Sequence, residues 1–115
     1  MEFANLNDTM RAAKEENKRF VPLFGSETFR SWIIYFRPGE QTDMHYHMSP
    51  ETFIVLQGKA SVKGLKGEER TIEKNEIVFF GAKDYYQITN VGDEPLVLVG
   101  NRSEGFGGAH VTAKE

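Results

Sequence analysis

The sequence predicts an all-β barrel or sandwich that carries one short N-terminal helix, and three observations lead there. From Phe20 onward, short runs of β-branched and aromatic residues alternate with Gly, Pro, Asn and Asp, the punctuation of closely spaced strands. Several runs, Trp32-Ile33-Ile34-Tyr35-Phe36 and Phe53-Ile54-Val55-Leu56 among them, are apolar at consecutive positions, so both faces of those strands must be covered. Only Leu6 to Arg19 has helical character. The 115 residues, 39% of them apolar, suffice for one hydrophobic core and are too few for two ordinary domains. One domain is therefore expected, with residues 1–19 helical, 20–102 forming the barrel and 103–115 a tail.

The elements follow in order. Asn7 or Asp8 can cap the helix, and Thr9 to Asn17 holds good helix formers without Gly or Pro. Its apolar stripe of Leu6, Met10 and Ala13 is thin, and Arg11, Lys14, Glu15, Glu16, Lys18 and Arg19 read as a solvated face. Strands are predicted at Phe20–Phe24, Phe29–Phe36, Asp43–His47, Thr52–Leu56, Ala60–Lys63, Arg70–Ile72, Ile77–Phe80, Tyr85–Thr89 and Leu96–Asn101. Turn signals separate them at Arg37-Pro38-Gly39, Ser49-Pro50, Gln57-Gly58, Gly64 to Gly67, Lys74-Asn75, Gly81-Ala82 and Val91 to Pro95. The outer faces of the apolar strands call for the helix, a second sheet or another subunit as cover, and a homodimer is expected. The glycine-rich stretch Ser103 to Gly108 reads as mobile, and His110 beyond it as a solvated tail residue or an extra ligand.

Composition removes several function classes. A formal charge of −3 is no basis for holding phosphates or an anionic bilayer, so neither nucleic acid nor membrane is expected as a partner. Without cysteine, thiolate metal sites, disulfides and a cysteine nucleophile are excluded. No stretch is apolar enough to span a bilayer and the first residues lack a leader pattern, so a cytoplasmic location is the expectation.

Two of the three histidines are His45 and His47. Residues two apart on a strand point to one face, so both imidazoles can reach one ion. Glu51 follows Ser49-Pro50, a turn that brings the next strand back alongside. Two imidazoles and a carboxylate suit a divalent metal ion such as Zn, Fe, Mn, Ni or Co, with positions left for water or substrate. Around them Trp32, Tyr35, Phe53, Phe79, Phe80 and Tyr85 can line an apolar pocket for a planar small molecule, and Arg30, Arg37, Gln41 and Gln57 can supply polar contacts.

The string Gly39-x5-His45-x-His47-x3-Glu51-x6-Gly58 resembles the first motif of the cupin superfamily. The resemblance implies a double-stranded β-helix, or jelly-roll barrel, with a metal in its mouth. The second cupin motif carries a histidine four residues before an asparagine, and Tyr86 stands there before Asn90; counting from Gly81 puts Asp84 there instead. The third histidine is thus missing. Tyr86, or Asp84, can be a fourth ligand, Tyr86 can hydrogen-bond to bound water or act as general acid or base, or it is a core tyrosine. The resemblance implies a metal-dependent enzyme on a small organic substrate, of dioxygenase, isomerase, lyase or cyclase type, or alternatively a non-catalytic module that binds a small molecule or sugar through its metal.

Overall fold

The computed structural model describes residues 1–105 and 110–112. It contains one helix, α1 (Leu6–Glu15), and ten strands: β1 (Phe20–Gly25), β2 (Arg30–Phe36), β3 (His45–His47), β4 (Glu51–Gln57), β5 (Lys59–Lys63), β6 (Glu69–Glu73), β7 (Ile77–Phe80), β8 (Gln87–Asn90), β9 (Leu96–Arg102) and β10 (His110–Thr112). Each of the nine predicted strands is present, with ends shifted by a residue or two. Among the described residues no helix is long and apolar enough to cross a membrane.

The helix differs from expectation at both ends. Asn5 is the cap, its side chain accepting from the Asp8 backbone N–H at 3.0 Å, so Asn7 and Asp8 lie inside the helix. The helix stops at Glu15 because Asn17 adopts a left-handed φ of 54°. Lys18 N–H then bonds to the Ala13 carbonyl at 2.9 Å and Asn17 N–H to that of Lys14 at 3.3 Å, the pattern that satisfies the last carbonyls of a helix. Arg19 is thereby released from the helix to the start of β1.

Five strands form one sheet in the order β1-β2-β9-β4-β7, facing a three-stranded sheet β6-β5-β8. A β10-β3 ribbon joins the latter through the bridges Gln41↔Thr89 and His45↔Tyr86. All named strand pairs are antiparallel. Residues 110–112 therefore belong to a strand rather than a loose tail, with His110 opposite His47 in register; Phe106 to Gly108 of the predicted mobile stretch lie outside the described residues.

Alternation along β2, β4 and β9 creates two apolar layers. Trp32, Phe36, Phe53, Val55, Leu96 and Leu98 point inward against Ala60, Ile72, Phe80, Tyr86 and Ile88. Ile33, Tyr35, Val97 and Val99 point outward, where Ala13 and Met10 of α1 and Val21 and Leu23 of β1 cover them. This explains the consecutive apolar residues and removes Tyr35 from the predicted pocket. On the uncovered part of the same face, Ile77 and Phe79 of the edge strand β7 are exposed, so Phe79 does not line the interior either.

The two glycines that bracket the histidines differ in what they permit. Both need a left-handed backbone, φ 83° at Gly39 and 90° at Gly58. A Cβ on Gly39 would meet nothing within 4 Å, whereas one on Gly58 would lie 2.7 Å from the Pro95 carbonyl oxygen and 2.9 Å from Leu96 Cα. Gly39→Ala is expected to cost about 1–2 kcal/mol from backbone strain alone, and Gly58→Ala about 1–3 kcal/mol more, because backbone must move. Urea unfolding of both variants checks this; equal losses would contradict the close approach of Gly58 to β9.

Candidate functional site

The inward faces of β2, β9 and β4 end in a row of charged residues. Register places Arg30 opposite Arg102, and Arg102 opposite Glu51. The next row inward is Trp32, Gly100 and Phe53. A Cβ on Gly100 would fall 2.6 Å from the Trp32 ring, so glycine there makes room for the indole. Both arginines use that indole: the guanidinium carbons of Arg30 and Arg102 lie 5.1 and 5.0 Å from the Trp32 ring, within the range of cation–π attraction.

Glu51 and Arg102 are each 3% exposed. Arg102 donates to Glu51 Oε2 through Nε at 2.8 Å and through Nη2, and the Tyr86 hydroxyl donates to the other oxygen, Oε1. The Glu51 carboxyl is raised to about 7, chiefly by burial and also by the charge of Glu104, against the Tyr86 hydrogen bond and the charge of Arg30, which lower it. The guanidinium seated on Oε2 also favours the ionised form, so the pair is ionic. Tyr86 is raised far above the ordinary phenol range, first by burial and then by the Glu51 charge; it remains a neutral donor.

Tyr86 is fixed from three directions. Its backbone exchanges hydrogen bonds with His45 at 3.0 and 2.8 Å, its ring stacks on Phe80 with centroids 3.9 Å apart, and the His45 ring lies 4.3 Å from it. His45 and His47 occupy the same inward face of β3, both buried, with ring centroids 4.9 Å apart. His45 Nδ1 lies 2.7 Å from the Asp43 carbonyl; only an N–H can make that contact, so Nε2 is the basic nitrogen of the neutral ring. Asp84 is elsewhere: its carboxylate accepts from Gly81 N–H at 2.7 Å in the exposed β7–β8 turn.

A cavity of about 390 Å³ has Trp32, Phe53, Tyr86, His45, His47 and Arg102 in its wall. Arg30 and Gln41 also reach it. Arg37 instead donates to Asn17 Oδ1 at 3.0 Å and Gln57 to the Pro95 carbonyl at 3.3 Å, while Tyr85 packs on Tyr46. Arg19, read as part of a solvated helix, reaches the cavity from the start of β1. It bonds to Glu40 at 2.7 Å and lies over Phe36. Glu40 is held below the usual carboxylate range, chiefly by the Arg37 backbone N–H and also by Arg19.

A divalent ion does not fit the arrangement as it stands. Both oxygens of Glu51 are engaged by Arg102 and Tyr86, and among the described residues no three His, Asp or Glu side chains form a cluster able to hold a metal. Arg102 is the residue that reading the sequence missed. Its signal was parity: on β9 it shares the inward set of Leu96 and Leu98, where a cation demands a partner.

A two-sheet antiparallel barrel with histidines and a carboxylate at its mouth defines the cupin architecture. The Cupin domain family pattern matches residues 32–100, and the chain belongs to that family. It is similar to an uncharacterized Klebsiella pneumoniae protein with a double-stranded β-helix domain (TM-score 0.81, 16% identity, covering 100% of this chain and 99% of that one). A cupin-like protein of Thermotoga maritima is also similar (TM-score 0.74, 21% identity, 84% and 75% covered). In sequence the chain is 28% identical over 85 residues to auxin-binding protein 1 of Arabidopsis thaliana, a match over 67% of this chain and 43% of that protein. The chain thus spans less than half the length of that relative.

Removing Arg102 strands a buried carboxylate. Arg102→Met is expected to lower stability by about 3–5 kcal/mol, whereas Arg102→Met with Glu51→Gln, which leaves no buried charge and keeps an acceptor for Tyr86, should recover at least half of that loss. A double-mutant cycle by urea unfolding measures the coupling; additive losses would contradict the ion pair.

Proposed function

We propose that this cupin takes up a small organic anion with a flat apolar body in its barrel mouth. The observation that carries the reading is Arg102, a buried guanidinium residue on the cavity wall whose Nη1 has no hydrogen-bond partner among the described residues. A buried donor without an acceptor costs about 1–3 kcal/mol, and a ligand carboxylate would supply the acceptor. Glu104 Oε1, 3.9 Å away, is too far to serve. The cavity's volume lies at the small end of ligand sites, and Trp32, Phe53 and Tyr86 offer ring faces to a planar body. A relative whose name states that it binds auxin supports small-molecule binding.

A second reading, the metal-dependent enzyme expected from the sequence, has His45 in its favour. Its Nδ1 contact to the Asp43 carbonyl is the kind that orients metal-binding imidazoles. His45, His47 and Glu51 would hold a Zn, Fe, Mn or Ni ion, with Tyr86 beside it, once Glu51 left Arg102. The homodimer expected from the sequence is supported by the exposed Ile77 and Phe79, and the solution mass tests it.

Trp32 is the sole tryptophan and lines the cavity, so its fluorescence reports occupancy. Aromatic carboxylates are expected to change it saturably, their neutral amides to bind at least about tenfold more weakly, and Arg102→Gln to weaken the acids about 10–100-fold, as for a hydrogen bond to a charged group. Equal binding of acids and amides would contradict the anion reading. Protein purified without a histidine tag should contain less than stoichiometric metal; about one ion per chain, lost in His45→Ala/His47→Ala, would favour the second reading instead.

A further inference from the structure

We propose that Arg102 is an internal cation that masks a latent metal site, so that the identity of this one residue sets whether the barrel is metal-free or metal-binding. Glu51 is buried on the inward face of β4 beside Tyr86, whose backbone pairs with His45. Both of its oxygens are engaged, Oε1 by the Tyr86 hydroxyl and Oε2 by Arg102. Nε and Nη2 of Arg102 both bond to Oε2, and the arginine is itself immobilised by its register opposite Glu51, its seat over Trp32 and its burial.

A guanidinium cannot discharge itself by losing a proton. A dication bound to Glu51 would therefore either share a carboxylate with a permanent positive charge in a low-dielectric interior, or expel that charge from its pocket. Both are unfavourable, and the pair excludes metal by electrostatics as much as by occupancy. Without the guanidinium the same burial works in the opposite sense. An ionised Glu51 would keep only the Tyr86 hydroxyl and the charge of Arg30 to offset it, and a divalent ion between it and the basic nitrogen of His45 would replace the countercharge lost with Arg102.

The test is Zn2+ binding by calorimetry to tag-free wild type, Arg102→Met and Arg102→Gln, each also carrying His45→Ala/His47→Ala as control. The glutamine variant removes the charge while keeping a donor for Glu51, and serves where the methionine variant fails to fold. The probe is the metal ion alone, so the outcome is independent of the organic ligand. Wild type is expected to bind Zn2+ no more tightly than its histidine-free control. An Arg102 variant should bind one Zn2+ per chain at least 100-fold more tightly than wild type, with loss of that gain in the histidine-free background and a Zn2+-dependent rise in Tm. Tight, histidine-dependent binding by wild type would overturn the proposal, and so would an unchanged affinity in a folded Arg102 variant.

Discussion

The barrel mouth depends on one interaction, the buried ion pair between Glu51 and Arg102. Neither charge tolerates this interior alone, since each would be stripped of water with nothing in exchange. Antiparallel register makes the exchange available, because β4 and β9 run side by side with these two residues directly opposite. Once the pair exists, its neighbours are constrained in turn. Tyr86 must deliver its hydroxyl to the remaining carboxylate oxygen, Trp32 lies under the guanidinium, and Gly100 must lack a side chain for the indole to fit. The two imidazoles of β3 line the same cavity as Tyr86 and Arg102.

The rest of the chain holds that row in place. The five-stranded sheet is apolar on both faces because it is covered twice, by the opposing sheet inside and by α1 outside, where Val21 and Leu23 of its own edge strand β1 extend the apolar layer. The site is thus carried on strands fixed by hydrogen bonds on both sides, and not on loops, which keeps the side-chain geometry narrow. Arg19 joins it only because Asn17 ends the helix early, turning a residue of apparently solvated character toward Phe36 and Glu40.

Much of this is legible in the residues themselves. Strand positions follow from β-branched and aromatic runs between turn residues, and the inward pair His45 and His47 follows from their spacing of two. The apolar residues at consecutive positions announce a doubly covered sheet without saying what covers it. Register is what local pattern does not carry: no feature of the stretch Leu96–Arg102 says that β9 inserts between β2 and β4, and that insertion alone sets Arg102 on Glu51. The glycine, histidine and glutamate spacing raises the expectation of a metal site, and a cation from some fifty residues away occupies the glutamate on which that expectation rests. Asp84 and Phe79 illustrate the same limit, since one residue's shift in a turn or along a strand exchanges inside for outside.

The most direct measurement is a high-resolution crystal structure grown with millimolar Zn2+, with anomalous scattering recorded at the zinc edge. The ion pair predicts Arg102 seated on Glu51, the Tyr86 hydroxyl on the other carboxylate oxygen, and no anomalous peak between His45 and His47. A zinc ion bound by both histidines and Glu51, with Arg102 turned away from the carboxylate, would contradict it.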